Sequence, residues 1–150
     1  MNKDNEKEIL VIDGQGGRIG KLLIEGIQEN FKKVSIIAVG TNSIATANMI
    51  KGGATKAATG ENPVIAACRY ADIIVGPIGI VIADALFGEI TPAMALAIGQ
   101  SRAEKILLPM NKCGNQVAGV KNMPTGELIT EALQLIRQYV DDSSIKQEIK

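Results

Sequence analysis

Apolar positions fall into two alternating kinds of segment. Ile9-Leu10-Val11-Ile12, Ile73-Ile74-Val75 and Ile106-Leu107-Leu108 are short continuous apolar runs, and residues 34–39 are apolar but for Ser35. Such runs predict strands covered on both faces. Between them the spacing turns helical. Ile19, Leu22, Leu23, Gly26 and Ile27 follow i, i+3, i+4, i+7, i+8, which leaves Lys21 and Glu25 on the exposed side. A second helix starts at an Asn42 or Ser43 cap and ends at Gly52-Gly53. A third covers residues 62–70 with Pro63 in its first turn, and a fourth runs from Thr91-Pro92 through 98. The last starts near Pro124 and carries Leu128, Ile129, Ala132, Leu133, Ile136 and Val140 on one face. Residues 54–58 read as a weak edge strand, 116–120 as a final strand, and 141–150 as a frayed tail. Alternation of this kind predicts an α/β fold in one domain over residues 1–150: a doubly wound, mainly parallel sheet with strand order near 3-2-1-4-5.

Composition narrows the function classes. A chain of 150 residues with 46% apolar content can bury a core as one domain. With Lys+Arg 16 against Asp+Glu 16 and only two Phe and two Tyr, neither a basic surface nor a base-stacking platform for nucleic acid is expected. The absence of histidine excludes Ser-His-Asp triads, Cys-His dyads and histidine-bearing zinc sites. Cys68 and Cys113 form no Cys-x-x-Cys, so no metal site or disulfide framework is expected. The longest uncharged run, residues 34–50, is broken by Gly40-Thr41-Asn42 and is too short to span a membrane. The polar start lacks the apolar stretch of a signal peptide, and a cytoplasmic protein is expected.

Glycine placement is the main chemical signal. Gly14-Gln15-Gly16-Gly17-Arg18-Ile19-Gly20 directly follows the first strand and opens the first helix, with glycines at 14, 17 and 20 in G-x-x-G-x-x-G spacing. A glycine turn there lets backbone approach a pyrophosphate, and the helix N-terminus offers unpaired N–H groups. The ATPase pattern G-x-x-x-x-G-K-[ST] fails, because Gln15 and Leu22 stand at its first glycine and its hydroxyl position. The alternative is a tight strand–helix turn without a ligand. If phosphates bind here, an acidic side chain at Gly17 is expected to block them while leaving the fold intact.

The order strand, G-x-x-G-x-x-G, helix, strand, helix, weak strand, helix, then Ala71-Asp72-Ile73-Ile74-Val75-Gly76, resembles the cofactor half of extended short-chain dehydrogenases over about residues 8–80. That resemblance implies a Rossmann-like fold and NAD(P) or another nucleotide as cofactor. The chain also resembles a family of short uncharacterised bacterial proteins, a domain-of-unknown-function group. That likeness rests on Val11-Ile12-Asp13-Gly14-Gln15-Gly16-Gly17, Gly40-Thr41-Asn42, Ala58-Thr59-Gly60-Glu61-Asn62, Val75-Gly76-Pro77-Ile78-Gly79-Ile80 and Gly88-Glu89-Ile90-Thr91-Pro92-Ala93-Met94. It implies a fold and no activity. The chain departs from the dehydrogenase pattern at three places, one of them Thr59-Gly60, which stands where an acidic residue often follows the third strand. Gly40-Thr41-Asn42 replaces the acidic residue that ends the second strand and holds ribose hydroxyls. The Tyr-x-x-x-Lys pair is absent, since Ile74 follows Tyr70 and Ser143 follows Tyr139 at that spacing.

Candidate cofactor contacts are therefore the residues of the glycine loop, Gly40, Thr41 and Asn42 for a ribose, Gly76, Pro77, Ile78 and Gly79 as a far wall, and Lys112 for a phosphate. Asp13 would repel an anion there, and is expected to form an ion pair with Arg18 or Lys112; the alternative is that it binds a metal carrying the phosphate. Glu89 is a candidate acid or base with a raised pKa, or else a carboxylate bonded to backbone amides. Cys113 is a candidate reactive thiol, and Cys68 is core filler. Asp84 and Glu89 are the only charges from 73 to 101, and the apolar surface at 78–87 and 93–98 predicts a homodimer or larger closed oligomer. The function these features favour is a nucleotide-binding sensor or regulatory module. The alternatives are a small oxidoreductase or transferase with a site completed across a dimer by Glu89, Lys112 or Cys113, and a structural oligomer without ligand.

Overall fold

The computed structural model describes residues 6–110 and 114–140. Five strands, β1 (Lys7–Asp13), β2 (Val34–Gly40), β3 (Ala57–Thr59), β4 (Ile73–Pro77) and β5 (Glu104–Leu108), form one sheet in the order β3-β2-β1-β4-β5, with every pair parallel. Five helices connect and cover them: α1 (Arg18–Asn30), α2 (Ser43–Lys51), α3 (Glu61–Cys68), α4 (Pro92–Gln100) and α5 (Thr125–Val140). This is a doubly wound α/β fold in the predicted strand order. Among the described residues no helix is long and apolar enough to cross a membrane.

The central strand explains the arrangement. Ile9, Leu10, Val11 and Ile12 are all fully buried, and alternate side chains serve opposite faces. Ile9 and Val11 join a cluster with Leu23, Ile24 and Ile27 of α1, Met49 of α2, and Ile129, Ala132 and Ile136 of α5. Leu10 and Ile12 join Val64 and Cys68 of α3 with Met94 and Ile98 of α4. Gly26 lets α5 come close, because a Cβ there would lie 2.8 Å from Leu133 Cδ1. Thr91 Oγ1 caps α4 by accepting from Met94 N at 3.1 Å and also donates to Glu61 Oε1 at 2.6 Å, which ties α4 to the start of α3.

Several boundaries differ from expectation. The edge strand β3 is shorter and later than 54–58, and the predicted strand at 116–120 does not form. Most of that segment is exposed, and Gly119 takes φ 83. Little apolar surface there would repay the ordering of another edge strand. The apolar stretch 78–87 folds back on its own domain: Ile80, Ala85, Leu86 and Ile90 are buried in the α3–α4 cluster, while Phe87 stays 98% exposed. The tail at 141–150 lies outside the described residues.

The phase of α5 gives a direct check. Ile136 is fully buried and Leu135 is 45% exposed. Ile136→Ala is expected to cost about 2–5 kcal/mol in urea denaturation, and Leu135→Ala within about 0.5 kcal/mol. Equal costs would contradict the docking of α5.

Candidate functional site

The glycine loop lies at the carboxyl end of β1, where the chain order reverses between β2 and β4. Open parallel sheets have their ligand crevice at this kind of place. Local chemistry shapes it. Asp13, the last residue of β1, is 3% exposed, and its carboxylate accepts from Gly14 N at 2.8 Å and Gly20 N at 2.7 Å. It thereby caps α1, which has Gly17 (φ 72) at its N-cap position and no side-chain cap of its own. The expected ion pair with Arg18 is not formed, because turn amides take up the carboxylate instead; Lys112 lies outside the described residues. Burial raises the Asp13 pKa. The amides of Gly20, Gly14 and Ile19 oppose that rise, and the Glu89 charge adds to it.

Glu89 comes from the loop between β4 and α4 and reaches across to the same turn. Its Oε1 accepts from Gln15 N at 2.9 Å, Thr41 Oγ1 at 2.6 Å and Asn42 Nδ2 at 2.6 Å. Its pKa is lowered, which fits the expected alternative of a carboxylate bonded by a backbone amide and not that of an acid or base with a raised pKa. Burial pushes it up, but the bonds from Thr41, Gln15 and Asn42 together outweigh that. Glu89 is therefore a carboxylate at neutral pH, not a poised acid.

Packing accounts for three of the four loop glycines. A Cβ on Gly14 would lie 2.6 Å from Thr41 Oγ1 and 2.8 Å from Leu86 Cδ1, and one on Gly20 would lie 2.6 Å from Met49 Sδ. A Cβ on Gly17 would lie 2.6 Å from Ala45 Cα in the α2 backbone. Gly17 is thus no neutral place for an acidic side chain, and the expectation that such a substitution spares the fold is overturned. Gly16 differs. It is exposed, and an added Cβ would meet nothing within 4 Å.

The loop amides can be accounted for one by one. Gly14 and Gly20 bond Asp13, Gln15 bonds Glu89, and Gly17 N donates to Gly14 O at 2.9 Å. Among the described residues, Gly16 N and Arg18 N have no hydrogen-bond partner. Their direction follows from planar trans peptides. Gln15 O accepts from Asn42 Nδ2 at 2.9 Å, so the Gly16 N–H in the same peptide points away from α2. Gly17 O accepts from Lys21 N at 3.0 Å inside the helix, so the Arg18 N–H points out of its N-terminus. Asn48 Nδ2 also binds Gly16 O and holds the loop down on α2.

Of the remaining candidates, Thr41 and Asn42 are brought to the loop through Glu89, and the others serve packing or lie outside the described residues. Asn42 caps α2 through Ala45 N at 2.8 Å, as its position predicts. Gly40 is buried beneath Thr46, and a Cβ there would lie 2.3 Å from Thr46 Oγ1. Gly76, Pro77 and Gly79 are buried and Ile78 is half-buried; a Cβ on Gly76 would lie 2.3 Å from Ile12 O, so its glycine serves the close approach of β1 and β4. Burial pushes the Cys68 thiol up to about 11, which makes it inert. Lys112 and Cys113 are not described. Surface cavities of about 430, 400 and 530 Å³ lie elsewhere; the first, lined by Val34, Ser35 and Lys56, sits toward the amino ends of the strands, away from the crevice. Among the described residues no group of three or more Cys, Asp or Glu could hold a metal ion.

Comparison with known proteins adds one finding. The profile of a family described as a domain of unknown function, DUF3842, matches residues 8–141. The chain belongs to this family. DUF3842 thus spans all five helices and all of the sheet except Lys7, but its description assigns no activity. No curated protein and no solved structure gave a significant match.

The lowered Glu89 pKa gives a signed prediction. A carboxylate held below its ordinary value contributes stability above about pH 4.5 and loses it as pH falls through the folded-state value. Glu89→Gln is expected to lower stability by about 1 kcal/mol at pH 7, a modest figure because the residue is only half-buried. In urea denaturation the gap to the unsubstituted protein should narrow below pH 4.5. An equal gap at pH 7 and pH 3 would contradict the account.

Proposed function

We propose that this protein binds a nucleotide through its phosphates at the glycine loop and acts as a sensor or regulatory module. The observation that carries this reading is the pair of unpartnered amides, Gly16 N and Arg18 N, at the start of α1. Both residues are exposed, so water satisfies these groups when no anion is present. Gly16 offers bare backbone for close approach, and the exposed Arg18 adds a cation. Arg18 stands in the first turn of α1, where the helix dipole disfavours positive charge, so a bound anion would compensate it.

A ligand-free packing loop is the second reading, and the contacts of Gly14, Gly17 and Gly20 speak for it. It gives no reason for the open glycine at 16 or the two free amides. A catalytic reading has less to rest on, since Glu89 is held as a carboxylate and Asp13 is spent on capping.

A thermal-shift panel of NAD, NADP, ATP, ADP, S-adenosylmethionine and coenzyme A tests the proposal. A ligand at a hundred times its Kd should raise Tm by about 5–11 °C for a domain of this size. Gly16→Asp should keep the unliganded Tm within about 2 °C, because its Cβ enters open space, and should abolish the shift by placing a carboxylate against the phosphates. If no nucleotide shifts Tm, or if Gly16→Asp responds as fully as the unsubstituted protein, the proposal fails.

A further inference from the structure

Dinucleotide sites of this fold hold a ribose beside the phosphate turn on a carboxylate, which can accept from two adjacent hydroxyls. That carboxylate ordinarily ends the second strand. Here β2 ends at Gly40 and is followed by neutral Thr41 and Asn42. A carboxylate nevertheless stands at this spot. Glu89 arrives from the opposite side of β1, and its Oε1 rests on Thr41, Asn42 and the Gln15 amide, where β2 and the glycine loop meet.

Delivering it demands an unusual backbone. Asp84, Leu86 and Phe87 adopt φ 65, 58 and 56, a left-handed region that side chains disfavour, and Gly88 follows at φ 86. The loop is closed by Asp84 N to Ile90 O at 2.8 Å and Ile90 N to Ala85 O at 3.1 Å. Buried Ala85, Leu86 and Ile90 anchor it to the core. Strain kept in place by surrounding packing often marks a functional position. All three donors land on Oε1, and none reaches Oε2 among the described residues. Among the described residues no Lys or Arg lies within 4.0 Å of the carboxylate.

We propose that Glu89 reads the ribose: it accepts the vicinal 2′- and 3′-hydroxyls of a nucleotide whose phosphates lie on Gly16 and Arg18, and it rejects a ribose carrying a 2′-phosphate. Thr41 and Asn42 are positioning residues that orient this carboxylate. The inference rests on the nucleotide-binding reading and adds the specificity of its ribose position. A 2′-phosphate would set a dianion against the Glu89 carboxylate, which among the described residues has no Lys or Arg within 4.0 Å to offset the repulsion.

Isothermal titration of the full chain with NAD, NADP, ADP, 2′-deoxy-ADP and pyrophosphate tests this. The protein should bind NAD about 100-fold more tightly than NADP, and ADP about 10-fold more tightly than 2′-deoxy-ADP. Glu89→Gln should weaken NAD about 10-fold and reduce the NAD-to-NADP ratio below about threefold. This variant should still bind pyrophosphate at least as tightly as the unsubstituted protein, which shows an intact fold and phosphate position. If NAD and NADP bind the unsubstituted protein equally, or Glu89→Gln keeps the full discrimination, the ribose assignment is overturned while nucleotide binding stands. If none of the five ligands binds, both readings fall together.

Discussion

A buried carboxylate at the end of the central strand governs the geometry of this molecule. Asp13 has taken two amides of the turn that follows it, so the passage from β1 into α1 is fixed by charge-assisted hydrogen bonds to a group that has left water. The rest of the loop follows from that choice. With Gly14 and Gly20 drawn toward Asp13, Gln15 is pushed to φ 49, and both of its backbone polar groups find partners on neighbouring segments. Gly17 then crosses close to the α2 backbone, where no side chain fits. The amides left over, at Gly16 and Arg18, face outward. Capping and ligand-binding chemistry thus divide one small set of N–H groups between them.

The two acidic groups in this crevice behave in opposite ways because their surroundings differ. Asp13 is enclosed, and burial outweighs its hydrogen bonds. Glu89 is only half-buried and collects three donors on one oxygen, so its hydrogen bonds outweigh burial. Acidification therefore acts on them with opposite sign: it relieves the cost of holding Asp13 charged and removes the contribution of Glu89. The loop that carries Glu89 is fastened by apolar anchors and its own backbone bonds.

Much of the architecture was legible in the sequence because it depends on local pattern. Continuous apolar runs marked the buried strands, Asn42 and Thr91 marked helix starts, and the alternation of elements implied the strand order. The candidate site was legible only in part. The spacing of glycines 14, 17 and 20 suggested a phosphate cradle, yet each of those residues answers to a neighbour remote in sequence: Leu86, Ala45 and Met49. The bond from Gln15 to Glu89 spans 74 positions, and no periodicity encodes it. The apolar stretch at 78–87 was legible as apolar but not in its placement: Ile80, Ala85 and Leu86 join the domain's own core, while Phe87 stays exposed. Asp13, expected to form an ion pair, is instead the group that shapes the turn.

The most direct test follows individual backbone amides by NMR while pyrophosphate is titrated into the isotopically labelled protein. The account predicts that the Gly16 and Arg18 amide resonances shift most and saturate together, while those of Gly14 and Gly20, already bonded to Asp13, move little. Large shifts at Gly14 and Gly20 with none at Gly16 and Arg18, or no saturable shift anywhere in the loop, would contradict it.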